Sequence, residues 1–215
     1  MEHIHIVLDL DATLVHSIGQ DSTSIEVLKT DPQYSFLSDR SKIINVVDIL
    51  DNSKKGKGIV TSFVVILRPY LKEFLNFLLD NVGKITIYSA GQKRYVRSIE
   101  SQIFDVNNEI YNKKLVNVLT FADCEPLDNY LVKDLEKKGF PMETTLIIDD
   151  NKSTFSKNPD NAIYISAYTP NLSKEQVMYD DKTLLNIMDW MKENLPGCKD
   201  VRLLKKDNAC KKIQN

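Results

Sequence analysis

An apolar run, Ile4 to Leu10, ends in two carboxylates spaced two apart, Asp9 and Asp11. Such a run reads as a first strand. In an extended strand residues i and i+2 share a face, so Asp9 and Asp11 are expected to project together. They stand at the strand's carboxyl end, where open α/β sheets build their sites. One carboxylate there can attack phosphorus while the other moves protons. A hard cation such as Mg2+ suits oxygen donors and would screen a phosphate from the acids. A bare Asp-x-Asp can equally close a strand in a solvated turn. The longer string Asp9-Leu10-Asp11-Ala12-Thr13-Leu14-Val15-His16-Ser17 favours the chemical reading.

Apolar runs and helical patterns alternate along the rest of the chain. Residues 18 to 62 carry no long helical pattern; they hold the β-like Ile43-Ile44-Asn45-Val46-Val47 and the turn Lys54-Lys55-Gly56-Lys57-Gly58. This stretch is expected to be a small β insertion, a hairpin or a three-stranded flap. Phe63 to Leu67 reads as a strand or as the return from that insertion, and Arg68-Pro69 opens a helix with Leu71, Phe74, Leu75, Leu78 and Val82 on its buried face. Lys84 to Tyr88 is a core strand; Ser89-Ala90-Gly91 follows, then a helix from about Gln92 to Ile103. Val116 to Phe121 is a short strand. Asp128 to Gly139 reads as a capped helix carrying Lys133. Leu146-Ile147-Ile148-Asp149-Asp150 is a second strand with an acidic exit, and Ala162 to Ala167 a further strand. Asp180 to Asn194 is an amphipathic helix with Leu184, Leu185, Ile187, Met188 and Met191 inward. Alternation of this kind predicts an α/β fold with a doubly wound parallel sheet. One domain over residues 1–200 is expected, with the insertion at about 18–62 and a polar, basic tail at 201–215 that frays.

Several classes of function are disfavoured. The net charge of −2 gives no general attraction for nucleic acid, so no direct nucleic-acid partner is expected. No apolar run approaches the roughly 20 residues that span a bilayer, so no membrane partner is expected either. The amino terminus, Met1-Glu2-His3-Ile4, lacks the shape of a signal peptide. Cys124, Cys198 and Cys210 are odd in number and outside zinc-ligand spacing, which points to a reducing compartment, cytosol or nucleus. Cys124 has no downstream arginine of a cysteine-phosphatase loop and reads as structural. Neither a dinucleotide fingerprint nor a P-loop is present. His3 and His5 alternate with apolar residues on the first strand. His16 stands just past the acids, where a structural hydrogen bond is its expected role.

The string Asp-Leu-Asp-x-Thr-Leu-Val-His-Ser resembles the haloacid dehalogenase superfamily. More closely, it resembles the Fcp/Scp phosphatases, the NLI-interacting-factor-like group, which act on the RNA polymerase II tail and other phosphoproteins. Other segments continue the likeness in order: Arg68-Pro69-Tyr70-Leu71-Lys72-Glu73-Phe74-Leu75, Tyr130-Leu131-Val132-Lys133-Asp134-Leu135, Ile148-Asp149-Asp150-Asn151 and Asn158-Pro159-Asp160-Asn161-Ala162. The resemblance covers about residues 4 to 195. It implies a HAD-like Rossmannoid sheet with a small β insertion after the first strand and no large cap.

The resemblance also implies roles. Asp9 would be the nucleophile, forming an aspartyl-phosphate, and Asp11 the general acid and base. Mg2+ would be held by Asp9, Asp150 and the backbone carbonyl of Asp11, with Asp149 as supporting acid. Ser89, the amide-bearing turn at Ala90, and Lys133 would bind the phosphate. From local sequence alone, Ser89 could equally be a helix N-cap. Ala12 replaces an acidic or amide residue common in the family. Phe121 replaces an arginine that helps small members hold their phosphopeptide, so peptide contacts are expected to be more apolar. The implied function is a Mg2+-dependent phosphoprotein serine/threonine phosphatase, with the RNA polymerase II C-terminal domain as one possible substrate. A phosphatase for small metabolites or nucleic-acid ends is an alternative, as is a non-catalytic docking module on the same fold.

Overall fold

The computed structural model describes residues 1–19, 40–49, 57–104, 109–170 and 181–211. Five parallel strands form the central sheet: β1 (His5–Leu8), β5 (Lys84–Tyr88), β6 (Leu115–Leu119), β9 (Thr145–Asp149) and β10 (Ala162–Tyr164). Their spatial order is β10-β9-β1-β5-β6. The chain winds outward from β1 through β5 to β6, then returns to the other side of β1 to lay down β9 and β10. The reversal places a topological switch between β1 and β9, and the crevice beyond their carboxyl ends is where such sheets bind ligands. Register fixes what meets there. Leu8 lies opposite Ile87 on one side and Ile148 on the other, so the residues just past them emerge side by side.

The strands are apolar because both faces are covered. Ile6, Leu8, Ile85, Ile87, Leu146 and Ile148 enter one core, while Val7, Tyr88 and Ile147 enter a second on the opposite face. Helix α1 (Leu71–Asn81) buries Leu71, Phe74, Leu75 and Leu78, as expected from its periodicity, and Leu79 besides; Val82, also buried, lies just past its end. Helix α2 (Lys93–Ile103) buries Tyr95, Val96 and Ile99. A short helix α3 (Glu109–Lys114) leads into β6. Helix α4 (Thr183–Asn194) buries Leu184, Ile187, Met188, Trp190 and Met191.

The described part of the insertion is a separate antiparallel sheet in the order β2-β4-β3, made of β2 (Val15–Gly19), β3 (Ser41–Val47) and β4 (Val60–Leu67). Of the expected turn, Lys54, Lys55 and Gly56 lie outside the described residues. The β3–β4 connection is closed by Asp48, whose carboxylate accepts the amides of Gly58 and Ile59. The last helix begins at Thr183, later than expected, with Lys182 as its N-cap; Asp180 itself lies outside the described residues.

Two expectations fail. Residues 128–139 are not a helix. Glu125–Leu127 (β7) and Tyr130–Val132 (β8) form a hairpin closed by Asp128-Asn129, with Asp128 at φ 52. Asp tolerates this left-handed conformation better than most residues, and a helix cannot pass through it. Lys133 therefore leaves a strand, and turns capped by the Asp134 carboxylate carry the chain on to Gly139. The tail does not fray through residue 211 either. Ala209 is fully buried, Trp190 Nε1 donates to the Lys205 carbonyl at 3.2 Å, and Asn186 Nδ2 to the Cys210 carbonyl at 3.0 Å. An aromatic N–H needing a partner and an apolar residue outweigh the polar composition of the segment.

Candidate active site

Five residues that sequence reasoning picked out lie at the carboxyl edge of the sheet. Asp9 follows β1, and its amide continues the ladder by donating to the Ile148 carbonyl at 3.1 Å. Asp149 ends β9, and Asp150 follows it. Lys133 follows β8. Ser89 follows β5, with its amide donating to the Leu119 carbonyl at 3.1 Å. Asp9, Lys133, Asp149 and Ser89 are buried, whereas Asp11 and Asp150 are part-exposed.

Lys133 Nζ donates to Asp9 Oδ1 and to Asp149 Oδ2, both at 2.6 Å. Its side chain is 1% exposed, so this ammonium exists only because two carboxylates compensate it. Those partners push its pKa up against the effect of burial. Burial, the largest influence, pushes Asp9 up; Lys133 pulls it down, and the Asp149 charge adds to the upward push. Asp149 has both oxygens engaged, Oδ2 with Lys133 and Oδ1 with the Asn151 amide at 2.8 Å. Asp150 is raised by burial and by the charge of Asp149.

Asp9 and Asp11 do not lie on one extended strand. β1 ends at Leu8, and the amides of Thr13, Leu14 and Val15 all turn back to the Leu10 carbonyl. Ala12 takes φ 59 to make this loop. That left-handed conformation strains a side chain with a Cβ and explains why an amide or acidic residue suits the position better. The loop brings Asp11 to the hydroxyl of Tyr95, which donates to Asp11 Oδ1. Burial raises Asp11, and the Tyr95 hydrogen bond opposes it.

Three supporting residues were not recognised from sequence. Tyr95 projects from α2 onto Asp11. Thr13 is fully buried; its Oγ1 donates to Asp150 Oδ1 at 3.2 Å and accepts the Asp150 amide at 3.1 Å. Arg68, 2% exposed, donates through Nη1 to the Thr13 carbonyl at 2.9 Å and through Nη2 to the Ser166 carbonyl at 3.0 Å; its Nε reaches Asp181 at 3.0 Å. Thr13 and Arg68 stood inside quoted motifs, but nothing local disclosed their partners. Tyr95 lies in the helix expected from about Gln92 to Ile103, where nothing local singled it out. His16 is part-buried, and burial lowers its pKa against the pull of Asp11.

Ser89 Oγ accepts the Gly91 amide at 3.0 Å, which leaves its hydroxyl hydrogen available to another acceptor. Ala90, beside it, is part-buried. Gly91 has a steric reason. A Cβ there would lie 3.0 Å from the Tyr95 ring, 3.1 Å from Val96 and 3.2 Å from Ser89 Oγ.

The donor set fits a hard divalent cation. Carboxylate oxygens of Asp9, Asp149 and Asp150 lie within 4.8 Å of one another. Among the described residues of the site, Asp9, Asp11, Asp149 and Asp150 face one ammonium, an imbalance that oxygen-preferring divalent ions relieve. Asp149 is the least available of the three, because its oxygens are already bonded.

The model of the NLI interacting factor-like phosphatases matches residues 4–202. CTD small phosphatase-like protein 2 of Dictyostelium discoideum is 29% identical over 93% of this chain and 28% of its own length. The human carboxy-terminal domain RNA polymerase II polypeptide A small phosphatase 2 is 25% identical over 92% of this chain and 59% of its own. The chain thus spans less than two thirds of these relatives. The solved structure of Fcp1, an essential RNA polymerase II CTD phosphatase, superposes with a TM-score of 0.61 at 19% identity, covering 90% of this chain and 51% of that one. That likeness concerns the fold alone. The extent of the family match, which spans the sheet, the flap and every acidic strand exit, shows that the chain belongs to the NLI interacting factor-like phosphatase family.

Proposed function

We propose that this chain is a Mg2+-dependent phosphatase of phosphoserine and phosphothreonine in proteins, acting through an aspartyl-phosphate on Asp9. One observation carries the reading: Lys133 is forked between buried Asp9 and Asp149, and among the described residues no second cation pairs with the adjacent Asp11 or Asp150. A purely structural pocket gains nothing from burying such an imbalance, whereas a phosphate site uses it once a cation is bound.

Mg2+ would be held by Asp9, Asp150 and the Asp11 carbonyl, with Asp149 holding Lys133 in place. When bound, the cation supplies charge that offsets the phosphate and the carboxylates. Asp9 Oδ attacks phosphorus, and the bond from phosphorus to the serine or threonine oxygen breaks. The Asp11 carboxyl gives its proton to that leaving oxygen. Asp11, now ionised, takes a proton from water; the resulting hydroxide attacks the phosphoryl group, releases phosphate and regenerates Asp9. Tyr95 holds Asp11 in place for both steps. The Ser89 hydroxyl and the Lys133 ammonium stabilise charge on the phosphoryl oxygens. The names of the relatives make the RNA polymerase II C-terminal domain the first phosphoprotein to test.

The test is turnover of phosphoserine and phosphothreonine peptides with Mg2+ or EDTA, followed by mass spectrometry of quenched enzyme. Expected results are loss of turnover in EDTA, recovery with Mg2+, and a phosphoryl adduct on Asp9. Full turnover in EDTA, or an adduct on another residue, would refute the scheme.

A further inference from the structure

The loop that carries Asp11 is pinned by the segment that follows β10. The amide of Tyr168 donates to the Ala12 carbonyl at 2.6 Å. Arg68 donates through Nη1 to the Thr13 carbonyl at 2.9 Å and through Nη2 to the Ser166 carbonyl at 3.0 Å. The carbonyls of the two residues after Asp11 are thus both tied to residues 166–168, one directly and one through Arg68. Tyr168 is 7% exposed, and its ring centroid lies 5.4 Å from the Arg68 guanidinium carbon. Its hydroxyl donates to the Leu67 carbonyl at 3.4 Å, too long to add much. Packing of the ring on Arg68 is therefore what fixes the place of the Tyr168 amide.

The loop needs such an anchor. Ala12, next to Asp11, takes φ 59, a conformation that a residue with a Cβ avoids unless its surroundings hold it there. Asp11 is held twice: at its carboxylate by the Tyr95 hydroxyl, and at its main chain through Ala12 by Tyr168.

We propose that Tyr168 is a positioning residue: by holding the Ala12 carbonyl and packing on Arg68, it sets where the Asp11 carboxyl stands as it gives its proton to the leaving oxygen. This role rests on the reading of Asp11 as the general acid. Tyr168 acts only through the loop and takes no part in proton or phosphoryl transfer itself.

A misplaced general acid has a signature that loss of packing lacks. A serine oxygen leaves phosphorus only with a proton, whereas a nitrophenolate leaves without one. The experiment measures kcat/KM, which covers the steps up to departure of the leaving group, in Mg2+ on phosphoserine peptides and on p-nitrophenyl phosphate. Wild type is compared with Tyr168→Phe, Tyr168→Leu, Tyr168→Ala and Asp11→Asn, each checked for folding by thermal melting. Asp11→Asn sets the scale, with a loss of about a hundredfold or more on the peptides and far less on the aryl ester. Tyr168→Ala and Tyr168→Leu should lose about tenfold or more on the peptides and about threefold or less on the aryl ester. Tyr168→Phe keeps the ring and should match the wild type on both. Where Tyr168→Ala fails to fold, Tyr168→Leu, which keeps apolar bulk, decides. Equal losses on the two substrates in folded Tyr168→Leu, or no loss on either, overturn the inference alone when Asp11→Asn discriminates. Equal losses in Asp11→Asn overturn the general-acid reading and the inference with it. Wild-type failure on every phosphoserine peptide overturns the phosphoprotein reading together with it.

Discussion

Lys133 shows how one residue sets the character of the pocket. Its Nζ lies 2.6 Å from both Asp9 and Asp149, so it positions the proposed nucleophile before any substrate arrives. Lys133→Ala should leave buried carboxylates unpaired, costing about 3–5 kcal/mol in stability and reducing turnover by orders of magnitude. Lys133→Arg should not fully rescue it, because a planar fork cannot take the place of a compact ammonium. Asp9→Asn, nearly isosteric, should keep the fold and lose turnover, and Asp11→Asn should be severely impaired. Near-normal phosphatase activity in folded Asp9→Asn would end the covalent scheme. A separate residue gives a stability signature. His5 is buried, shares a hydrogen bond with the Thr86 hydroxyl at 2.9 Å and packs on Phe140. Burial, then the charge of Lys84, lowers its pKa from 6.5 to about 4. The unfolded chain therefore takes up this proton first. The contribution of His5 is complete above pH 6.5, falls as the pH drops towards 4, and declines no further below that, a total of roughly 3 kcal/mol. Urea titrations of wild type and His5→Gln across this window check it: the non-titrating variant should show the shallower slope.

Elements differ in how much of them was legible. The central strands and α1 were readable because burial on both faces, or on one stripe, writes its period directly into the sequence: Ile85 to Tyr88 and Leu71 to Leu79 need no distant information. The acids at Asp9 and Asp149-Asp150 were readable because carboxylates at the ends of buried strands are conspicuous. The β7–β8 hairpin was not, because Leu131 and Leu135 also fit a helical spacing and the left-handed turn at Asp128 went unrecognised. Long-range supports were invisible for a different reason. Arg68 joins the Thr13 carbonyl to the Ser166 carbonyl and Asp181, residues far apart in the chain. It braces the loop from Leu10 to Val15 from behind, and Thr13 in that loop holds Asp150. Arg68→Lys keeps the charge but cannot reach three partners in one plane. The variant should lose about 2–4 kcal/mol in stability and also turn over more slowly, because the Asp11 loop loosens. Equal stability by denaturant titration would show that the strut is dispensable.

At the scale of the whole molecule, the layout of the cleft decides what can enter. The switch between β1 and β9 buries Asp9, Lys133 and Asp149 at the floor, while Asp11 and Asp150 remain part-exposed at the rim. In the proposed scheme a phosphoryl group reaches down to Asp9 while its leaving oxygen stays near Asp11, and the rest of the substrate projects outward. Apolar side chains also lie exposed on the surface, among them Ile43, Val47, Ile59 and Val60 on the flap. A small sugar phosphate or nucleotide would fill the floor alone; an extended phosphopeptide has the length to reach apolar surface beyond it. Contacts remote from phosphorus should thus separate substrates by kcat/KM, each covered apolar side chain contributing about 1 kcal/mol or more. The expected result, in the presence of Mg2+, is that at least one phosphoserine or phosphothreonine peptide exceeds every sugar phosphate and nucleotide by tenfold or more in kcat/KM. Extending a minimal phosphopeptide by apolar residues should widen the gap, and extending it by glycines should not. A sugar phosphate or nucleotide that outperforms every phosphopeptide would identify this apolar surface as a bystander and move the assignment to a small-metabolite phosphatase.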